Sequence, residues 1–171
     1  MSSEVASLRA VAHPVRLRIL SLLTGTELSA AEIARELGIT HANASYHLRR
    51  LADAGVVVEA GRERIRGGVA KRYRHPWDTA PAPAARSEAE RSMYVQALAH
   101  ELVRRAAQRR PETRGHFTDA EMWVDPAVWE QAREHVNAAS ELVHAAAQPP
   151  RTSGAIRINM TAALFEMTQS T

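Results

Sequence analysis

Thr40-His-Ala-Asn-Ala-Ser-Tyr-His-Leu-Arg-Arg-Leu51 carries two different faces on one helical period. Ala44, Leu48 and Leu51 recur at the spacing of an apolar stripe, with Thr40 suited to the N-cap and Gly55 to the C-terminal stop. At about 100° per residue, the side opposite the stripe carries Ala42, Tyr46, Arg49 and Arg50, with Asn43 and Ser45 on its flanks. Asp53 is the one acid among these positions. A solvated helix would carry Glu and Lys there. Amides, hydroxyls and guanidinium groups instead suit base edges and phosphates, so the stretch reads as a DNA-recognition helix.

Immediately upstream, Leu28-Ser-Ala-Ala-Glu-Ile-Ala-Arg-Glu-Leu-Gly38 predicts a short helix, with Ser29 and Glu32 as a capping box and Gly38 as its stop. Ile33, Ala34 and Leu37 supply its core face. Two capped helices joined by Gly38, Ile39 and Thr40 make a helix-turn-helix in which the first braces the second. Before them, Glu4 to Ala12 predicts a short amphipathic helix, and Pro14 opens another that runs to Leu23. That helix offers Leu17, Leu20 and Leu23 to the core, with Ile19 and Leu22 alongside. His13 is expected to be a helix-end residue rather than a ligand.

After Gly55 the period changes. Val56 to Val58 is a β-branched run, and Gly67-Gly68 is a turn signal between Arg62–Arg66 and Val69–Arg74. This predicts a two-stranded wing with a basic tip. From Tyr46 to His75 there are 8 Arg or Lys against 3 acids, although the whole chain carries only +3. Such a concentration is expected where a polyanion docks.

His13-Pro-Val-Arg-Leu-Arg-Ile-Leu20, the Leu28 to Gly38 helix, Ala44-Ser45-Tyr46-His47-Leu48-Arg49 and the Ala54-Gly55-Val56-Val57 exit resemble the ArsR class of winged-helix transcriptional regulators, over roughly residues 5 to 75. The resemblance implies a homodimer that binds an operator in double-stranded DNA, usually as a repressor released by an effector. It further implies that His41, Asn43, Ser45 and Tyr46 face the bases, and that Arg49 and the wing arginines meet phosphates. The full candidate set is Thr40, His41, Asn43, Ser45, Tyr46, Arg49 and Arg50 on the helix, and Arg64, Arg66, Lys71 and Arg72 on the wing. One departure is chemical. Metal-sensing members carry cysteines near the start of the bracing helix, and Leu28 to Glu32 has none.

Beyond the wing, Trp77 to Ala85 is proline-rich and reads as a semi-rigid linker. The expected division is a winged helix-turn-helix domain over 1–77, a linker over 78–85 and a C-terminal module over 86–171. In that module a helix capped by Ser87 and Glu90 runs to about Arg109, with Met93, Ala97, Val103 and Ala106 on its apolar side, joined by Tyr94, Leu98 and Leu102. His116–Val124 and Ala155–Phe165 alternate enough to predict strands. Between them, Asp125-Pro126 opens a helix to about Gln148, with Val128, Ala132, His135, Val136, Ala139, Leu142 and Val143 on its buried side. The expected fold is therefore mainly α with small β (α+β): a winged domain followed by a helix-strand-helix-strand module for dimerisation, effector binding or both.

With 171 residues and 45% hydrophobic composition the chain can build a packed core, and no run is long enough for a membrane-spanning helix. A cytoplasmic location is the default expectation. The absence of cysteine removes disulfides, thiolate metal sites and cysteine nucleophiles. Glu141-x-x-His144 is the only metal-like spacing and lacks a third ligand, so no metal and no cofactor are expected. No nucleophile elbow, phosphate-binding glycine loop or paired-carboxylate motif appears, so no catalytic residue and no enzyme activity are expected. Phe117, Trp123, Trp129 and Phe165 could line a pocket for a small organic effector, but core or dimer interface is the more ordinary use of such side chains. The competing class is a winged-helix module whose basic face binds an acidic protein partner. The acid-poor recognition helix favours DNA.

Overall fold

The computed structural model describes residues 8–79 and 84–168. Helix α1 spans Leu8–Val11, and the Glu4 to Ser7 part of the expected helix lies outside the described residues. Helix α2, Pro14–Leu23, starts where Pro14 takes the first helical position and His13 caps it, with His13 Nδ1 accepting from the Val15 amide at 3.1 Å. Strand β1 is only Leu28–Ser29, and helix α3 follows at once as Ala30–Leu37. Both halves of the Ser29/Glu32 capping box are formed, and Gly38 ends α3 at φ 65°, a conformation costly for a residue with a Cβ. Helix α4, His41–Asp53, begins with the Thr40 hydroxyl accepting from the Asn43 amide at 3.2 Å. It closes in a Schellman motif: the Gly55 amide bonds the Ala52 carbonyl and the Val56 amide bonds the Leu51 carbonyl, both at 2.9 Å.

The core lies where these helices meet. Ile19 and Leu23 of α2, Ile33 of α3, and Ala44, Leu48 and Leu51 of α4 are buried together with Val11, Leu28, Val56 and Val57. Ala44, Leu48 and Leu51, the stripe that defines α4, are each at most 1% exposed. That packing fixes which face of α4 remains for a ligand.

Strands β2, Val58–Ile65, and β3, Gly68–Arg74, form the antiparallel wing, with a bulge between Glu59 and Gly61. Strand β1 pairs on the other side of β3, with Leu28 opposite Tyr73 and Ser29 opposite Arg72, giving the order β1-β3-β2. This third strand has no signature in the sequence. Two residues are too few to show alternation, and their pairing spans more than forty positions. Its effect is to fasten the wing to the start of α3.

Helix α5, Glu88–Ala106, is capped by Ser87 as expected and packs on α1 and α2, so its first half adds Tyr94 to the winged core. Residues 80–83 of the expected linker lie outside the described residues. The inward face of α5 is Tyr94, Ala97, Leu98 and Glu101; Met93 and Val103, expected on the apolar side, are exposed. Glu101 is 2% exposed and is matched by Arg104 at 2.7 Å and Arg105 at 3.5 Å, which supplies the counter-charge a buried carboxylate needs.

Helix α6, Pro126–Ala145, has the expected Asp125 cap but buries none of its residues: Val128 and Leu142 are 53% and 70% exposed, and the expected buried stripe is largely open. The strands expected at 116–124 and 155–165 do not form. Alternation gives one face of a strand, but a strand exists only when a neighbour takes its backbone groups, and this chain alone provides none there. The turn after α6 does reach back. A Cβ on Gly25 would meet the Ala147 and Gln148 backbone at 2.7 Å, so only glycine allows that approach.

Candidate nucleic-acid interface

The outward face of α4 presents His41, Ala42, Asn43, Tyr46, Arg49 and Arg50, all exposed, with Ser45 half-buried at its edge. Thr40 is exposed but its hydroxyl is engaged as the cap. Among the described residues no acid forms an ion pair with Arg49 or Arg50. The face is a hydrogen-bonding, cationic surface whose position is set by the buried stripe behind it.

His47 lies on the inner side of α4. It is 6% exposed, its ring lies 4.6 Å from that of His13, and the Tyr46 ring stands edge-on to it at 5.1 Å. Burial, followed by the neighbouring His13 and Arg16, lowers the His47 pKa below 6.5. Burial, followed by Arg16, does the same to His13. A neutral His13 is also what its cap requires, because only an unprotonated Nδ1 can accept from the Val15 amide. These depressed values set a sign for the pH dependence. The unfolded chain takes up protons first as the pH falls, so the stability from both imidazoles is complete above about pH 6.5 and is lost as the pH falls through their folded values. We expect the urea midpoint to drop between about pH 7.5 and about pH 5.5, and the drop to shrink in His47→Gln. Equal drops in both proteins would contradict this origin.

The wing residues separate into two groups. Arg64 and Arg66 are exposed, and neither has an ion pair among the described residues. Lys71 pairs with Glu59 at 2.8 Å, and Arg62 shares the same carboxylate at 2.8 Å. Arg72 is a clasp: it bonds Glu63 at 2.7 Å, Glu32 at 3.2 Å and the Glu27 carbonyl. Burial pushes the Glu32 carboxyl up, but the Ser29 bonds and Arg72 more than offset this and hold it below its ordinary value. Arg72 thus ties the wing to the cap of α3. A sequence shows Arg72 only as one more cation in a basic run, because its acceptors lie on other elements.

Residues 11–60, from α1 into β2, match the family described as "Helix-turn-helix domain". The chain carries a helix-turn-helix domain. The segment is similar to the HTH-type transcriptional regulator YgaV of Escherichia coli (strain K12), 42% identical over 53 residues, which are 30% of this chain and 54% of that protein. The chain therefore spans about half the length of this curated relative. Among solved structures, HlyU from Vibrio cholerae N16961 is 24% identical, covering 60% of this chain and 88% of that one, with a TM-score of 0.35. The transcriptional repressor BigR from Xylella fastidiosa is 24% identical, covering 56% and 80%, with a TM-score of 0.33.

Outside the helix-turn-helix domain, Glu141 is exposed and His144 Nδ1 is bonded to the Ser140 carbonyl at 2.7 Å, while its ring lies 5.3 Å from Trp77. Among the described residues no three His, Asp or Glu side chains converge as a metal site. A cavity of about 570 Å³ opens between α2, α5 and α6, with Leu17, Leu20 and Leu98 on its apolar side and Arg105, Arg133 and His144 among its polar groups. None of Phe117, Trp123, Trp129 and Phe165 lines it. Phe117, Trp123 and Phe165 are 73%, 86% and 67% exposed, and the Trp129 indole bonds Glu166 at 3.2 Å. No helix among the described residues is long and apolar enough to cross a membrane.

Proposed function

We propose that this protein is a sequence-specific DNA-binding regulator of the ArsR-like class, a cytoplasmic, non-enzymatic repressor that acts as a homodimer on a two-fold symmetric operator. The observation that carries this reading is the outward face of α4, where Asn43, Tyr46, Arg49 and Arg50 are exposed while Ala44, His47, Leu48 and Leu51 lock the opposite face into the core. A helix held in this way can enter a major groove without losing its own fold. Asn43, Ser45 and Tyr46 read base edges, His41 stands beside them at the first turn, and Arg49, Arg64 and Arg66 hold phosphates. Lys71 reaches the backbone on release from Glu59, while Arg72 positions the wing.

Dimerisation is assigned to the open apolar side of α6 and the segments on either side of it, including Trp123, Leu142 and Ile156. The number of large apolar side chains left open there supports this assignment, since such groups are commonly covered by a partner. The cavity between α2, α5 and α6 is the place for an organic effector, since α2 packs on α4. The experiment is a mobility shift with the duplex upstream of the protein's own coding region, with random duplex as competitor. A complex that survives competitor supports the reading. Equal loss to the two duplexes, or tighter capture of an acidic protein, would oppose it.

A further inference from the structure

Where α2 packs on α4, Arg16 of α2 and Arg50 at the edge of the recognition face form a pair of cations on neighbouring helices. The His13 and His47 rings are 4.6 Å apart, which places the start of α2 against the middle of α4. Arg16 lies three residues after His13 on α2, and Arg50 three residues after His47 on α4, so each cation stands one turn beyond a paired ring. Arg50 is also four residues beyond Tyr46, whose ring is edge-on to His47.

Arg16 and Arg50 carry like charge on the two helices that the ring contact brings together. Burial, then Arg50, lowers the Arg16 pKa, and Tyr46 partly opposes this. No acid among the described residues pairs with either guanidinium. Arg16 is half-buried and its Nε is buried without a hydrogen-bond partner, while Arg50 is exposed. In this protein other inward arginines, Arg72 and Arg104, are met by carboxylates at 2.7 Å. Two guanidinium groups on packed helices, neither met by an acid, suit an anion as their counter-charge, and their planar donors match a phosphate.

We propose that Arg16 and Arg50 together seat one phosphate of the DNA strand that borders the recognition helix, so that α2 grips the backbone alongside α4 and the wing. The proposal rests on the DNA-binding reading above and adds Arg16, which the sequence reading left in the helix preceding the helix-turn-helix. Arg16 is half-buried with its Nε out of contact with solvent, so part of its side chain is already constrained before DNA arrives. It is a positional anchor that carries no base information.

The test is a salt titration from about 50 to about 200 mM, with the full chain, a random-sequence duplex and a duplex selected from a random pool. Arg16→Gln and Arg50→Gln should each weaken binding to both duplexes about tenfold and lower the salt slope by about one per half-site. Arg16→Lys should keep the slope, and Arg91→Gln, at the exposed start of α5, should change nothing. A duplex series with single neutral methylphosphonates should contain one position that weakens the full chain but neither Gln variant. Because Arg50 is exposed, its variant keeps the test valid even if Arg16→Gln does not fold. An unchanged slope in Arg50→Gln, or no methylphosphonate position shared by the two arginines, overturns the seat while leaving the DNA-binding reading standing. A full chain that binds neither duplex overturns both.

Discussion

Leu142→Asp is expected to convert the protein from dimer to monomer and to weaken operator binding by about a hundredfold or more, the range lost when two linked contacts become one. Leu142 is 70% exposed on a helix that buries no residue, so a charge there costs the folded protomer little. In a dimer, the same carboxylate would be taken from water into an apolar contact without a partner. Trp123→Asp, at 86% exposed, should act in the same direction. Sedimentation at micromolar concentration reads the result. An unaltered dimer in both variants would remove α6 and its flanking segments from the interface.

Leu48→Ala should destabilise the protein by about 2–5 kcal/mol, the range for truncating a large apolar side chain in a packed interior. Leu48 is 1% exposed and sits in the cluster that joins α2, α3 and α4. Against a total of about 5–15 kcal/mol this is a large fraction, and urea unfolding measures it directly. The folded fraction should keep its preference among DNA sequences, because the outward face of α4 is untouched. A loss below about 1 kcal/mol would mean that Leu48 is not a keystone of this core.

The difference between what could be read in advance and what could not follows the range of the forces involved. The caps at Ser29 and Thr40, the stop at Gly38 and the stripe of α4 are local, and each stands in the structure where the residues put it. The wing was legible for the same reason, since its turn and both strands are contiguous. Pairing across distance was not. The β1 contact, the Arg72 clasp on Glu32 and the His13/His47 contact all join residues more than thirty positions apart. Leu142 has the helical spacing and Ile156 the strand alternation of core residues, yet both are exposed in the single chain. Periodicity identifies a surface that needs covering but not the molecule that covers it. Across the whole interface, side-chain types gave the candidate set, and only the folded wing separates open Arg66 from committed Arg72.

Base reading by α4 and backbone holding by the wing are separated by binding of Asn43→Ala and Arg66→Ala, side by side, to a selected duplex and a random one. Asn43 is exposed on the first turn of α4, and Arg66 is exposed in the turn of the wing. Asn43→Ala should cost about 1–3 kcal/mol on the selected duplex and much less on random DNA. Arg66→Ala should weaken both alike and lower the salt slope by about one per half-site. Equal losses on the two duplexes for Asn43→Ala would contradict the assignment of α4 as the reader.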